Sequence, residues 1–448
     1  MQKNHDELFK SLINSFNKGT LKKDISNMLK GTDSNKEELA GLISSLCGVK
    51  INYSDTFIDD IKKAISNYNS KEKLVFKIKD CSMSCADKTG KTACEKSCPF
   101  DAILLNKEGT STYIDPFKCT DCGFCVDACI DGNIVDRVQF LPLFNLLKSD
   151  KPVIATVAPA ICGQFGEEVT MNQLRSAFKK LGFLDMVEVA FFADMLTLKE
   201  AFEFNEHVKS KDDLMITSCC CPMWVGMLKR VYADLVKHVS PSISPMIASG
   251  RIIKKLNPEC KVVFIGPCIA KKAEAKEKDL LGDIDFVLTF EELKEIFEAL
   301  NIFPSKLPED FTSEYASKGG RLYARTGGVS IAISDAIKRL FPEKHELLVA
   351  IQGNGVRECK DILSKAQEGN LKANFIEGMG CVGGCIGGPK SLIEKENGKE
   401  NVTRYAENSH VTVAIDNEYM KEILKQLGIE KTEDFYDKNK TSIFHRDF

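Results

Sequence analysis

Residues 377–389 read EGMGCVGGCIGGP, directly after the apolar run Asn374-Phe375-Ile376. Two further cysteine loops repeat the arrangement. TSCCCPMW at 217–224 follows Leu214-Met215-Ile216, and GPCIAKKAE at 266–274 follows Val262-Val263-Phe264-Ile265. Each short apolar run reads as a buried strand. Cysteines at the carboxyl ends of strands in an open α/β sheet point into the crevice where such folds bind ligands. Four thiolates from three loops can enclose one iron–sulfur cluster, so the loops define a cofactor site assembled by tertiary folding.

The surrounding sequence supplies the sheet. From about residue 140, KPVIATVAP, DMVEVAFF, LMITS, CKVVFIGP, DIDFVLT, HELLVAIQG and ANFIEG are candidate strands, while ELKEIFEAL and AISDAIKRLF are amphipathic helices. The alternation predicts an α/β domain with mainly parallel strands, within a chain that is α+β overall. Leu8, Leu12, Ile13 and Phe16 share a helical stripe, as do Ile58, Ile61 and Ile65, so residues 1–75 read as short helices that pack or dock. The expected units are a helical segment at 1–75, a cysteine-rich unit at 76–140, a larger domain at 141–393, and an extension at 394–448. That extension, expected to pack on the larger domain, ends in a helix near Tyr419–Leu427.

Eight cysteines fall between Cys81 and Cys129. Cys119-x2-Cys122-x2-Cys125-x3-Cys129 is the bacterial ferredoxin run, with Ile130 in place of the usual proline. Cys81-x3-Cys85-x8-Cys94-x3-Cys98-Pro99 is a stretched version of it. In this ferredoxin-like 2[4Fe-4S] unit the fourth cysteine of each run serves the other cluster. Cys81, Cys85, Cys94 and Cys129 then hold one cluster, and Cys119, Cys122, Cys125 and Cys98 the other. Zinc is the alternative, but a triple CxxCxxC exceeds what one tetrahedral ion needs.

Composition agrees. The chain has 448 residues, 43% of them apolar, and a formal charge of −3, with no global basic field to attract nucleic acid or an anionic membrane. The amino terminus lacks a signal-type apolar run, and no stretch approaches membrane-spanning length. A cytoplasmic location is expected, where 18 cysteines are better read as metal ligands than as disulfides.

The three loops closely resemble the signature loops of [FeFe]-hydrogenases, and the tripled cysteine of the first resembles the group B branch. The resemblance covers roughly residues 76–390. It implies that Cys221, Cys268, Cys381 and Cys385 hold a third [4Fe-4S] cluster, and that Cys385 also bridges to a diiron subcluster bearing CO, cyanide and an azadithiolate. Together these form the H-cluster, in a central crevice of the larger domain. Lys271 would bond a cyanide ligand, whereas neighbouring Lys272 reads as solvated. Ala158, Pro159 and Met379 would line the pocket. The implied reaction is 2 H+ + 2 e− to H2, reversibly, with electrons exchanged with ferredoxin or a similar redox protein, and maturation proteins installing the diiron unit.

For protons the resemblance implies a relay of Cys220, Glu200, Glu203 and Ser240, with His207 where the family often has arginine. Anchored on Pro222-x-Trp224, the proton-carrying cysteine is Cys220; anchored on Thr217-Ser218 it is Cys219. Three residues depart from the family pattern: Gly266 replaces methionine, Ala160 serine, and Met246 glutamine. Each departure implies a lost hydrogen bond or packing contact beside the diiron ligands. Cys47, Cys162, Cys260 and Cys359 match no ligand position and read as buried thiols. A hydrogen sensor and a non-catalytic iron–sulfur assembly protein are the alternative functions.

Overall fold

Helical periodicity at the amino terminus produces α1 (Lys3–Asn17), α2 (Leu21–Lys30), α3 (Lys36–Leu46) and α4 (Phe57–Ser66). The computed structural model describes residues 3–31, 35–68, 73–218, 220–312 and 316–448. Phe9, Leu12 and Ile13 of α1, with Ile61 and Ile65 of α4, are buried in a core continuous with that of the region carrying the three cysteine loops. The amino-terminal helices therefore share their packing with the rest of the chain.

The cysteine-rich stretch folds around two small antiparallel pairs. Strand β1 (Val75–Lys77) is followed by α5 (Ala93–Ser97), β2 (Ile103–Leu105), β3 (Thr112–Ile114), α6 (Phe124–Ala128) and β4 (Ile134–Asp136). Strand β1 pairs with β4 and β2 with β3, while α5 packs against α6. Helix α5 starts at a capping box in which Thr92 and Glu95 satisfy each other's backbone N–H groups. Helix α7 (Phe140–Leu147), mostly buried, leads into the larger region.

Two parallel sheets follow. Strands β5 (Val153–Val157) and β6 (Asp185–Glu188) flank α8 (Met171–Leu181), and α9 (Val189–His207) leaves directly from β6. Next come β7 (Met215–Ile216), α10 (Pro222–Arg230), α11 (Pro245–Leu256), β8 (Lys261–Gly266), α12 (Ala270–Glu274), β9 (Phe286–Thr289) and α13 (Phe290–Ala299). Then follow α14 (Lys318–Leu322), α15 (Gly328–Leu340), β10 (Ala350–Asn354) and β11 (Phe375–Met379). One sheet has the order β6-β5-β8-β9 and the other β10-β11-β7, with every pairing parallel. Strands β5, β8, β9 and β11 are buried on both faces, apart from a half-buried Lys261 at the start of β8, the pattern of a sheet covered by helices.

Two expected strands are shorter than the sequence suggested. DMVEVAFF divides at Glu188, and its second half opens the 19-residue α9. That helix is buried nearly all round, so its first turn shows no amphipathic period to distinguish it from a strand. HELLVAIQG is strand only from Ala350.

The carboxyl-terminal helix spans Glu418–Gln426, after which the chain returns across α9. Phe435 stacks on Phe202, Tyr436 meets the same ring edge-on, and Phe444 stacks on Phe435. His445 forms an antiparallel bridge with Ser242. Among the described residues no helix is long and apolar enough to cross a membrane.

Candidate metal centre

The cysteine loops leave β7, β8 and β11 at their carboxyl ends. In the first, the Trp224 indole donates to the Thr217 carbonyl at 2.7 Å, which ties the loop to α10, and Cys221 stands immediately before that helix. In the second, Cys268 follows Gly266-Pro267. In the third, Cys381 follows Met379 of β11, and Cys385 opens a short turn of 3-10 helix.

The four thiols lie in one another's fields. Burial first, then the charges of Cys221 and Cys385, push the Cys268 thiol up to about 12. Burial and then Cys268, Cys221 and Cys385 raise Cys381 well above the ordinary value. Four thiolates held together repel one another, and iron cations relieve that repulsion; the donor set fits a thiolate-bound cluster. The ligands do not crowd around one point. Among the described residues, no three His, Cys, Asp or Glu side chains are close enough to hold a single metal ion.

Glycine lets the backbone approach the thiols. A Cβ on Gly380 would lie 2.7 Å from Met223 Cβ, and the Gly380 N–H points to Cys221 Sγ at 3.4 Å. Gly384 has φ +86°, and a Cβ there would meet the Thr326 nitrogen at 2.6 Å.

Beside Cys385 is an almost wholly apolar cavity, lined by Ala158, Pro159, Met246, Phe264, Cys220 and Lys271 among others. The Cys220 thiol lies 3.7 Å from Met379 Sδ. It also bonds Cys385, and this bond, with the Lys271 charge, holds the Cys385 thiol below its usual value against the effect of burial. Buried Lys271 donates to the Cys220 carbonyl at 3.0 Å and to Glu274 at 2.7 Å. Burial works to lower its ammonium, but Glu274 and Cys220 outweigh that and hold it above the ordinary lysine value. Cys219 lies outside the described residues.

The departures at the cavity differ in consequence. At Gly266, where a packing contact was expected to be lost, a Cβ would meet the Phe264 ring at 2.7 Å. Phe264 fills that volume. Ala160 and Met246 are buried, and each leaves an apolar surface in place of a polar one. Lys272 corrects its expectation outright. It is fully buried and pairs with Asp136 of β4, at 2.7 Å, and with Glu292 at the start of α13. The GPCIAKKAE loop looks polar, but its second lysine faces two buried carboxylates contributed by distant elements.

Of the residues that the resemblance places in a relay, Ser240 and Glu203 touch. Ser240 donates to Glu203 at 2.6 Å and bonds Ser242 at 2.8 Å. Glu200 is fully buried, and neither carboxylate oxygen finds a well-aligned hydrogen bond, although Thr217 and Ser240 lie near enough to favour its charged form. Burial, then Glu203, pushes the Glu200 carboxyl up to about 7. His207 is exposed at the end of α9. Sequence reasoning missed Lys199, which pairs with Glu203 and donates to Ser242 at 2.9 Å. Its spacing of four residues from Glu203 was an available signal.

Most of the eight upstream cysteines lie close to one another. Burial, then Cys122, Cys119 and Cys98, raises the Cys125 thiol, which places Cys98 with the CxxCxxC run. Cys81 and Cys94 both approach the Thr112 hydroxyl at 3.9 Å, and one apolar cluster holds Cys94 and Cys125 with Cys98 and Cys129 packed against it. Cys85 is half-buried. Cys122 is near enough to Cys381 for its charge to contribute to that thiol's upward shift. Cys47, Cys162, Cys260 and Cys359 are buried.

Residues 151–389 match the family model described as iron only hydrogenase large subunit, C-terminal domain. The NADP-reducing hydrogenase subunit HndD of Solidesulfovibrio fructosivorans is 27% identical, over 60% of this chain and 55% of that protein. The cytosolic Fe-S cluster assembly factor narfl of Xenopus tropicalis is 22% identical, over 72% of this chain and 82% of its own length. A solved [FeFe]-hydrogenase structure from work on oxygen inactivation superposes with a TM-score of 0.56 at 20% identity, covering 69% of this chain and 99% of the other. The chain spans about half the length of the first curated hydrogenases it matches.

Proposed function

The chain belongs to the iron-only hydrogenase large-subunit family, and on that premise we propose that it is a catalytic [FeFe]-hydrogenase of the group B type, interconverting two protons and two electrons with H2. The observation that carries this reading is the convergence of Cys221, Cys268, Cys381 and Cys385 beside an apolar cavity that also holds Cys220 and Lys271. When bound, the H-cluster supplies the redox chemistry of hydrogen. Cys221, Cys268, Cys381 and Cys385 would hold it. Lys271, kept charged by Glu274, would supply a charge-assisted bond to its anionic ligands. Ala158 and Pro159 belong to an apolar wall that excludes water, while Met379, expected to line the cavity as well, stands behind Cys220, so protons must come through side chains.

Cys220 lines the cavity and is the thiol donor there. Glu200 near neutrality can both accept and release a proton, the property required of a general acid–base group. Ser240 links it towards Glu203, which pairs with Lys199. Residues 76–140 act as a ferredoxin-like unit binding two [4Fe-4S] clusters, and residues 141–393 as the catalytic domain. Cys122 beside Cys381 suits electron passage between them. A ferredoxin or similar cytoplasmic carrier is the electron partner, and maturation proteins install the diiron unit.

The experiment is to mature the protein with a diiron cofactor, then record its infrared spectrum and hydrogen turnover. CO and cyanide bands with turnover are expected, on top of roughly twelve irons in three cubanes. Iron for only two cubanes, with the four loop cysteines still open to alkylation, would overturn the site. The second reading, a non-catalytic iron–sulfur assembly role, is favoured by the 82% coverage of the assembly factor. Bands without any turnover would support it.

A further inference from the structure

The relay described above stops at Glu203, whose side chain is 16% exposed, and the carboxyl-terminal tail covers that end of it. We infer that His445 is the outer proton-carrying side chain of this relay, exchanging protons between solvent and Glu203. The inference rests on the hydrogenase reading and adds a residue beyond the matched family region, 151–389.

The tail is fixed, which gives its histidine a defined position. Ile243 N–H donates to the Phe444 carbonyl at 3.0 Å, and Arg446 N–H to the Pro241 carbonyl at 2.9 Å. Arg251 of α11 holds the His445 carbonyl at 2.6 Å, and Arg446 pairs with Glu277 at 2.6 Å. Phe444 and Arg446 point inward and are buried, whereas His445 between them is exposed. His445 is paired across the antiparallel bridge with Ser242. Residues directly opposite in such a pair carry their side chains on the same face, with Cβ atoms about 5 Å apart. The bridge thus puts His445 opposite Ser242, whose hydroxyl bonds Ser240 and Lys199, both partners of Glu203.

The charges facing the ring are those of this site. Lys199 and Glu203 act on it from α9, Asp447 from the tail just beyond it and Lys438 from the preceding turn. Burial and Lys199 lower the imidazole from its usual value, while Asp447 and Glu203 oppose the shift. A histidine held below 6.5 releases its proton readily. In the inward direction the imidazolium N–H gives its proton to a Glu203 carboxylate oxygen. Neutral imidazole and a carboxylic acid result, and the ring is reprotonated from solvent. The reverse sequence carries protons out.

Two measurements test the assignment. The first follows the His445 ring by NMR titration of the cluster-containing protein. Glu203→Gln should lower its midpoint and Lys199→Met should raise it; no response to either substitution overturns the placement. The second compares turnover at low buffer concentration. His445→Gln should lose activity roughly a hundredfold, the usual contribution of one general acid–base group, and added imidazole should restore much of it. Normal turnover in His445→Gln with a slow Glu203→Gln would overturn the assignment and move the exit elsewhere, for example to His207. Normal turnover in both would overturn the Glu203 route itself. A matured wild-type protein without turnover would overturn the hydrogenase reading, and the assignment with it.

Discussion

Replacing Glu200 with Gln should make the protein more stable at alkaline pH and slower at its chemistry. Glu200 is fully buried, and burial followed by the neighbouring Glu203 raises its carboxyl from 4.5 to about 7. The folded state therefore binds more protons than the unfolded state between those values, so stability falls as pH rises through that window. About 2.5 pKa units at 1.36 kcal/mol each correspond to roughly 3 kcal/mol, fully charged to the folded state above pH 7 and absent below about 4.5. Glutamine has the same shape and never ionises, so it removes this cost, and its amide can still bond the nearby Thr217 and Ser240 hydroxyls. The assay is denaturant unfolding of wild type and variant at equal cluster content, at pH 5 and pH 8. The stability difference should grow in favour of Glu200→Gln by up to about 3 kcal/mol between the two, while hydrogen turnover falls roughly a hundredfold or more. An unchanged difference across that range would refute the claim that the carboxyl is charged at a desolvated position. A more stable variant with full turnover would uphold the electrostatics and refute the relay role.

Lys272→Met should destabilise the chain by about 3–5 kcal/mol, because Asp136 and Glu292 would be left as buried, uncompensated carboxylates. Thermal unfolding at neutral pH measures this, and a change within error would show that water reaches the pair. Cys122→Ala should slow electron exchange with a protein donor while the infrared bands of the matured diiron site persist, since those ligands belong to other loops. Loss of both signals together would mean that the two regions do not fold independently.

What the sequence disclosed, and what it withheld, follows the range of the interactions involved. The three cysteine loops were legible because a short apolar run and a fixed cysteine spacing are local facts, and β7, β8 and β11 lie where those runs stand. Glu200, Glu203 and Ser240 were legible through resemblance, and the structure brings Glu203 and Ser240 into contact. The misread residues depend on partners far away in sequence. Lys272 looked solvated because its carboxylates come from β4 and α13, 136 and 20 residues distant. His445 carried no signal, since its neighbour Ser242 lies about two hundred residues upstream and an isolated bridge leaves no periodic trace. Gly266 shows the same limit in the opposite sense. Its missing side chain implied a lost contact, yet Phe264, two residues earlier on the same strand face, turns its ring into that volume. Alternation along a strand places residues i and i+2 on one face, but only the packed structure shows which of them occupies the space. The apolar cavity beside Cys385 is therefore lined on that side by the Phe264 ring, a residue that lies outside the GPCIAKKAE loop.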